Sequence, residues 1–431
     1  MTSIDDIIKV EVPNTDFLYS EEAFDRLVQT LQGPKYKTLK RVWDNGTRVC
    51  YLRGYGPEGE QERLIKVDQL PRNLTSPRAI RHVGRGYDTL NDIKESLEIE
   101  DPDHRLTRVM GYNIFLLKTP EGDFPMAISE EEYFRNSRNL REWVKGREKM
   151  EYLDALEARG PLTPRQVGEV MSKVIDCAFN LYKQGFYFRD MNSGAILIRE
   201  SEEGNLEVKI TDRANVCRKD NVTAKYYPTA GSKHIMDPRL IFPAGKKKKY
   251  DDMAEVYELG TQLYYALTGE HIFEYDPDEH TGKAIATGES LVDEDGWWLH
   301  GKHDEALNDA IQKLPFTTRM RYGDILKRCL SSYEVSRYTS VKELKKAFDK
   351  VDHLNFEKRQ RRNLWTGASA LALMALLMAG NINGQKIQAL ESKLEEETRT
   401  FNVSASWQEN RFIIENNLAD LAVSGCVKGR G

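Results

Sequence analysis

The chain has 431 residues, of which 40% are hydrophobic and 30% are charged. This composition provides enough apolar side chains for a large folded domain and excludes a wholly disordered chain. The 63 basic and 68 acidic residues give a formal net charge of −5, which argues against a dedicated nucleic-acid-binding protein. The 5 cysteines are scattered and form no CxxC pair, so neither a zinc site nor a disulfide framework is predicted.

The first third of the chain is rich in strand-forming residues. Turn-forming residues separate three short β-branched or aromatic runs, which predicts an antiparallel meander. These runs are Tyr36–Val42, Arg48–Arg53 and Arg63–Val67. A helical pattern follows at Asp88–Glu98, and two more strands are predicted at Arg108–Leu117 and Phe124–Ser129. We therefore expect a small β-rich unit over residues 35–134, after an N-terminal extension at 1–34.

The pattern is mostly helical from about residue 139 onward. Thr163 and Pro164 suit the cap and first turn of a helix, whose apolar residues recur every three or four positions up to Gly185. Met253–Leu267 is predicted as a second apolar helix, ending at Gly269. Two further helices are predicted at Ile325–Leu330 and Val341–Val351. These elements predict a larger helical unit over residues 135–355.

An uncharged apolar segment, Leu364–Ile382, lies near the C-terminus. As a helix rising about 1.5 Å per residue, it is long enough to cross a bilayer core of roughly 30 Å. A buried helix of a soluble domain is the alternative. Because a basic linker at 356–363 precedes the segment, we expect residues 1–362 in the cytoplasm and an extracytoplasmic tail at 383–431. The sequence thus predicts a single-pass membrane protein.

Five segments in chain order resemble segments of protein kinases. The strongest is GFYFRDMNSGAILI followed by VKITDRANV, which resembles the catalytic loop and the metal-binding strand end. The others are RLIKV (63–67), GSKHIMDP (231–238), EVYELGTQLYYALTG (255–269) and residues 326–348. They resemble the lysine strand, the end of the activation segment, the central helix and the final helices. The resemblance covers residues 36–350 and implies an α+β, two-lobed protein-kinase-like fold, with an N-lobe at 35–134 and a C-lobe at 135–355.

The resemblance also implies a role for individual residues. Asp190 occupies the position of the catalytic aspartate, which accepts the hydrogen bond of the substrate hydroxyl. Asp212 occupies the position of the aspartate that binds Mg²⁺. Lys66 occupies the position of the lysine that contacts the α- and β-phosphates of ATP.

Two further assignments concern ATP binding. The helix partner of Lys66 would be Glu95, with Glu98 as the alternative, because the preceding loop prevents exact counting. Glu131 lies in EEEY (130–133), which resembles the hinge whose backbone meets adenine.

Several positions depart from the kinase pattern. Ala195 replaces the asparagine that holds a second Mg²⁺, and a methyl group cannot ligate a hard cation. Asn192 replaces the lysine that clamps the γ-phosphate. Phe188, Arg213 and Ala214 replace the usual histidine, phenylalanine and glycine of the catalytic and metal-binding loops.

Another departure affects the end of the activation segment. Arg239 replaces the glutamate that normally pairs with an arginine such as Arg337. The sequence therefore predicts that this ion pair cannot form.

These residues favour a membrane-anchored, ATP-binding pseudokinase with weakened or absent phosphotransfer, which uses ATP and at most one Mg²⁺. The alternative is an active, atypical serine/threonine-type kinase. A third hypothesis is a membrane adaptor in which the kinase-like body is purely an interaction surface. The expected partners are a nucleotide, an unidentified protein and the membrane, with no nucleic acid.

Overall fold

The computed structural model describes residues 8–11, 39–44, 48–55, 61–68, 96–119, 122–147, 156–220, 233–242, 249–276, 280–351 and 392–393. The chain divides into two compact units, Met1–His353 and Leu354–Gly431. All elements given below belong to the first unit. Within the described residues, no helix is both long and apolar enough to span a bilayer, and the predicted span at Leu364–Ile382 lies outside them.

The first lobe is built on a six-stranded sheet with the order β1-β5-β6-β4-β3-β2. Its strands are β1 (Ile8–Glu11), β2 (Leu39–Asp44), β3 (Arg48–Tyr55), β4 (Gln61–Asp68), β5 (Val109–Thr119) and β6 (Gly122–Glu132). The predicted meander and the two later strands are all present, within a few residues of the expected bounds. β1 was not predicted; it lies in the N-terminal extension and pairs parallel with β5.

The second lobe contains seven α-helices among the described residues. These are α1 (Leu140–Lys145), α2 (Pro164–Lys183), α3 (Pro238–Ile241), α4 (Asp252–Thr268), α5 (His300–Gln312), α6 (Phe316–Leu330) and α7 (Val341–Phe348). Short strands accompany them: β7 (Arg138–Asn139), β8 (Phe186–Phe188), β9 (Ile196–Glu200), β10 (Leu206–Ile210), β11 (Val216–Arg218), β12 (Phe273–Asp276) and β13 (Thr281–Ala284).

Local sequence signals fix the two central helices. Thr163 caps α2, because its Oγ1 accepts a hydrogen bond from the Gln166 amide while the Gln166 side chain accepts one from the Thr163 amide. Gly269 ends α4 with a φ of +76°, a left-handed conformation that glycine adopts without a Cβ clash. α4 is buried along nearly its whole length and packs against α2 and α6. It is therefore the core helix on which the site described below rests.

Candidate active site

The Lys66 side chain contacts residues of both lobes. β4 carries it into the interior, where only 6% of the residue is exposed. Its Nζ lies 2.6 Å from Asp212 Oδ1 and 2.9 Å from Glu131 Oε2, and it donates a hydrogen bond of 2.8 Å to Thr211 Oγ1. The structure thus brings together Lys66 and Asp212, which are far apart in sequence.

Asp212 sits on a sharp turn directly after β10. Its φ of +64° is left-handed, a conformation that aspartate tolerates better than most residues. The turn is held at both sides: the Thr211 amide donates to the Ala195 carbonyl at 2.9 Å, and the Asn215 amide donates to the Asp212 carbonyl at 2.9 Å. The carboxylate is therefore presented in a fixed position, partly exposed.

Asp190 lies on the adjacent loop, which follows β8. It also has a left-handed backbone, with φ +67°. The neighbouring Arg189 amide donates to the Asn215 carbonyl at 3.1 Å, and Phe188 pairs with Val216 across β8 and β11. These bonds tie the Asp190 loop to the Asp212 turn, so the two predicted aspartates lie on segments that are hydrogen-bonded to each other.

Two buried glutamates of α4 support the Asp190 loop from below. The Phe188 amide donates to Glu255 Oε1 at 3.0 Å, and the Met191 amide donates to Glu258 Oε2 at 3.2 Å. Glu255 and Glu258 are both fully buried. Since these bonds flank Asp190 on both sides, α4 fixes the position of the loop that carries it.

A family model described as protein kinase domain matches residues 125–348, which is just over half of the 431 residues. The chain belongs to the protein kinase domain family. The match includes Asp190 and Asp212 and confirms the predicted kinase-like, two-lobed fold. Lys66 precedes the matched range, so its inclusion in the candidate site is based on its contacts with Asp212 and Glu131.

Burial of Glu255 makes the stability of this kinase domain sensitive to pH. Burial raises the pKa of Glu255 to about 8, although the Phe188 amide works in the opposite direction. The folded state then holds a proton that the unfolded state releases near pH 4.5. Stability is therefore greatest below pH 4.5 as far as this group is concerned, and it falls as the pH rises through 8, by at most about 1.4 kcal/mol per unit.

We expect Glu255→Gln to lose less stability than the wild type between pH 5 and pH 8. Glutamine keeps an oxygen that can accept the Phe188 amide hydrogen bond, but it has no proton to release. Urea unfolding at several pH values measures the effect, and Glu305→Gln on the exposed face of α5 is a matched control. Parallel pH profiles for the wild type and Glu255→Gln would contradict the prediction.

The predicted contact of the Glu131 backbone with adenine stays a prediction, and the structure gives the Glu131 side chain a separate role. It lies within β6, where its backbone is in register with Leu64 and Val109. Side chains alternate along a strand, so Glu131 shares a face with Ser129, which lies directly opposite Lys66. As a result the Glu131 side chain points into the cluster around Lys66.

The two glutamates proposed as helix partners of Lys66 have different outcomes. Glu95 lies outside the described residues. Glu98 is 61% exposed at its side chain and pairs with Arg218 at 3.1 Å. The alternative assignment of Glu98 to Lys66 is therefore wrong.

Arg213, at the usual phenylalanine position, anchors the Asp212 turn through hydrogen bonds. It is buried, and its Nη2 donates to the Ser96 carbonyl at 2.6 Å. Burial lowers the pKa of Arg213, while the negative charges of Asp101 and Glu131 oppose that shift. An apolar contact of the family is thus replaced here by hydrogen bonds to backbone carbonyls.

Asn192, at the usual lysine position, forms its hydrogen bonds within the Asp190 loop. Its Nδ2 donates to Asp190 Oδ2 at 3.1 Å, and its Oδ1 accepts from the Gly194 amide at 2.8 Å. Asn192 therefore orients the Asp190 carboxylate, a role that sequence reasoning missed. Ala195 is fully buried, and its methyl side chain offers no oxygen to a metal ion.

Arg239 cannot form the family's ion pair with Arg337, as predicted, but Arg337 still has a carboxylate partner. Asp237, two residues before Arg239, supplies that carboxylate: Arg337 Nη1 donates to its Oδ2 at 2.6 Å with both side chains fully buried. Arg239 Nε also donates to Asp237 at 2.8 Å. Burial by itself would raise the pKa of Asp237, but the two guanidinium groups outweigh it and lower that pKa to about 2.

Protein kinase domains generally use ATP and Mg²⁺, and the residues present fit one such ion. Within the described residues, no group of three His, Cys, Asp or Glu side chains could hold a metal by itself. Magnesium, however, usually takes one or two carboxylates together with substrate phosphates. Asp212 would supply the carboxylate, the nucleotide phosphates would supply further oxygen ligands, and Lys66 would supply positive charge for the phosphates.

Proposed function

We propose that this kinase domain binds ATP with a single Mg²⁺ and has weakened or absent phosphotransfer, acting as a membrane-anchored pseudokinase in signalling or scaffolding. The observation that carries this proposal is the 2.6 Å contact between Lys66 and Asp212, beside a loop where Ala195 stands in place of the second metal ligand. The set of charges needed for nucleotide binding is thus retained, while the set needed for fast transfer is depleted.

Nucleotide binding requires an oriented cation and a metal carboxylate. Lys66 is fixed by Asp212, Glu131 and Thr211, so its ammonium is presented in one direction. Asp212 is held by its strained turn rather than by a flexible loop. Magnesium, when bound with the nucleotide, supplies charge neutralisation for the phosphates.

Transfer demands more positive charge than this site provides. Asn192 is neutral and already hydrogen-bonded within the loop, so it cannot clamp a transferring phosphoryl group. Losing preorganised charge stabilisation of a transition state typically costs about 10²–10³-fold in rate per donor. We therefore expect transfer to be slow even where binding is intact.

A slow serine/threonine-type kinase is the second candidate. The observation that favours it is the orientation of the Asp190 carboxylate by Asn192. The loop that carries Asp190 is itself held in place, because its amides donate hydrogen bonds to two glutamates of α4. A group placed in this way can accept the proton of a substrate hydroxyl.

One titration and one transfer assay test these functions on the full chain. Thermal unfolding with ATP and Mg²⁺ should show stabilisation of about 2–3 kcal/mol at a hundredfold excess over Kd, and the same ATP concentration without Mg²⁺ should stabilise less. Transfer of label from γ-labelled ATP that disappears in Asp190→Ala would establish the active kinase, and its absence in the wild type supports the pseudokinase. No thermal shift with MgATP would overturn nucleotide binding altogether.

The membrane anchor is part of the proposal and is supported by the sequence alone. The uncharged segment Leu364–Ile382 follows a basic linker, which favours a cytoplasmic kinase domain. Retention of the chain in the membrane fraction after alkaline carbonate washing checks this. Release of the protein into the supernatant would contradict the anchor without affecting the nucleotide site.

A further inference from the structure

Glu131 places a second carboxylate against the lysine that is expected to hold phosphate. We propose that Glu131 determines which form of the nucleotide the site accepts: it disfavours metal-free nucleotides and makes binding depend on a divalent cation. This inference rests on the proposed nucleotide binding and deepens it.

The Lys66 ammonium lies between two carboxylates. Its Nζ is 2.6 Å from Asp212 Oδ1 and 2.9 Å from Glu131 Oε2. An anion that contacts Lys66 is therefore also close to both negative charges. The attraction of the lysine for a phosphate is largely offset before any nucleotide arrives.

Glu131 cannot easily move its charge away. The residue is only 3% exposed, and three hydroxyl groups donate hydrogen bonds to its carboxylate. They belong to Thr107 at 3.3 Å, Ser129 at 3.3 Å and Thr211 at 3.2 Å. The carboxylate is thus fixed by one donor on β6, one just before β5 and one between β10 and Asp212.

Arg213 does not remove this charge from the phosphate side. Its guanidinium interacts electrostatically with Glu131, but its hydrogen bonds run to the carbonyl oxygens of Ser96 and Thr107. The positive charge of Arg213 therefore offsets only part of the negative charge of Glu131, because its N–H groups are directed to backbone carbonyls.

A divalent cation changes the balance. Asp212 is the carboxylate that can take a metal, and Mg²⁺ bound there would neutralise both this group and part of the phosphate charge. Repulsion between charges is strong in a poorly solvated site. Metal-free ATP should consequently bind far more weakly than MgATP, and the larger part of that penalty should come from Glu131.

The test compares nucleotide affinities of full-length variants with and without metal. Dissociation constants for ATP are measured by titration calorimetry in excess MgCl₂ and in excess EDTA. We expect Glu131→Gln to improve metal-free binding about tenfold, which corresponds to roughly 1.4 kcal/mol of removed repulsion. Binding of MgATP should change less than threefold, so the ratio of the two constants narrows.

Glu130→Gln is the matched control. It carries the same charge change on the same strand, one residue away, but its carboxylate pairs with Arg63 at 2.8 Å instead of Lys66. This variant should keep the ratio of the wild type. Glu131→Asp, which retains the charge, should also keep a large ratio of the ATP dissociation constant in EDTA to that in MgCl₂.

Several outcomes would overturn the inference. An unchanged ratio in Glu131→Gln would do so, as would a ratio that narrows equally in Glu130→Gln. If Glu131→Gln does not fold, the wild type decides: in EDTA it should bind AMP at least as well as ATP, and the opposite order contradicts the inference. Failure of the wild type to bind MgATP at all would instead overturn the proposed function, and the inference with it.

Discussion

Lys66→Met is expected to abolish ATP binding and to destabilise the fold. The variant removes the ammonium that Glu131 and Asp212 share, and it leaves the Glu131 carboxylate buried beside another negative charge. Breaking a buried ion pair from one side typically costs about 3–5 kcal/mol. We expect a loss of unfolding free energy of that order in urea titrations, together with loss of the thermal shift caused by MgATP.

Two further variants separate binding from stability. Lys66→Met combined with Glu131→Gln should regain part of the stability, because the unpaired charge is gone, but it should not regain ATP binding. Lys209→Met removes a comparable lysine that pairs with Glu132 in a more exposed setting. That control should lose no more than about 1 kcal/mol. Equal stability losses in Lys66→Met and Lys209→Met would contradict the prediction.

Asp237→Asn is expected to cause the largest loss of stability in the second lobe. Asp237 is the buried partner of both Arg337 and Arg239, and asparagine preserves its shape while removing the charge. The fully buried Arg337 guanidinium then lacks its compensating charge, which we expect to cost about 3–5 kcal/mol. Denaturant titration monitored by tryptophan fluorescence measures the change.

The pH dependence of Asp237 has a defined sign. Its folded pKa of about 2 lies below its ordinary value of 3.8. Its contribution to stability is therefore complete above pH 4 and disappears as the pH falls toward 2. Glu200→Gln, which breaks a surface pair with Arg159, is the control and should cost less than about 1 kcal/mol. An Asp237→Asn variant as stable as this control would show that the ion pairs of Asp237 with Arg337 and Arg239 do not stabilise the second lobe.

Local sequence signals were sufficient for much of the fold and for part of the site. Thr163 and Gly269 mark the ends of helices because capping depends only on neighbouring residues. Asp190 and Asp212 each follow a short strand within a recognisable motif, so their positions could be predicted without a structure. The family match supports this reasoning for the range that contains both aspartates.

Contacts set by register and by distant partners could not be predicted in this way. The direction of the Glu131 side chain depends on how β6 pairs with β4, which no residue within EEEY determines. The substitution of Asp237 for the missing glutamate was hidden for a similar reason. The family pattern concerns position 239 alone, whereas the partner of Arg337 in this chain lies two residues earlier.

The bond between Asp237 and Arg337 joins residues that are 100 positions apart. During synthesis, Asp237 leaves the ribosome long before Arg337, at a rate of about 5–20 residues per second. For several seconds the nascent chain carries an aspartate and the nearby Arg239 without the side chain that completes their packing. The packing around Asp237 is therefore completed only late in translation. A chain that terminates before Arg337 lacks the buried ion pair between Asp237 and Arg337.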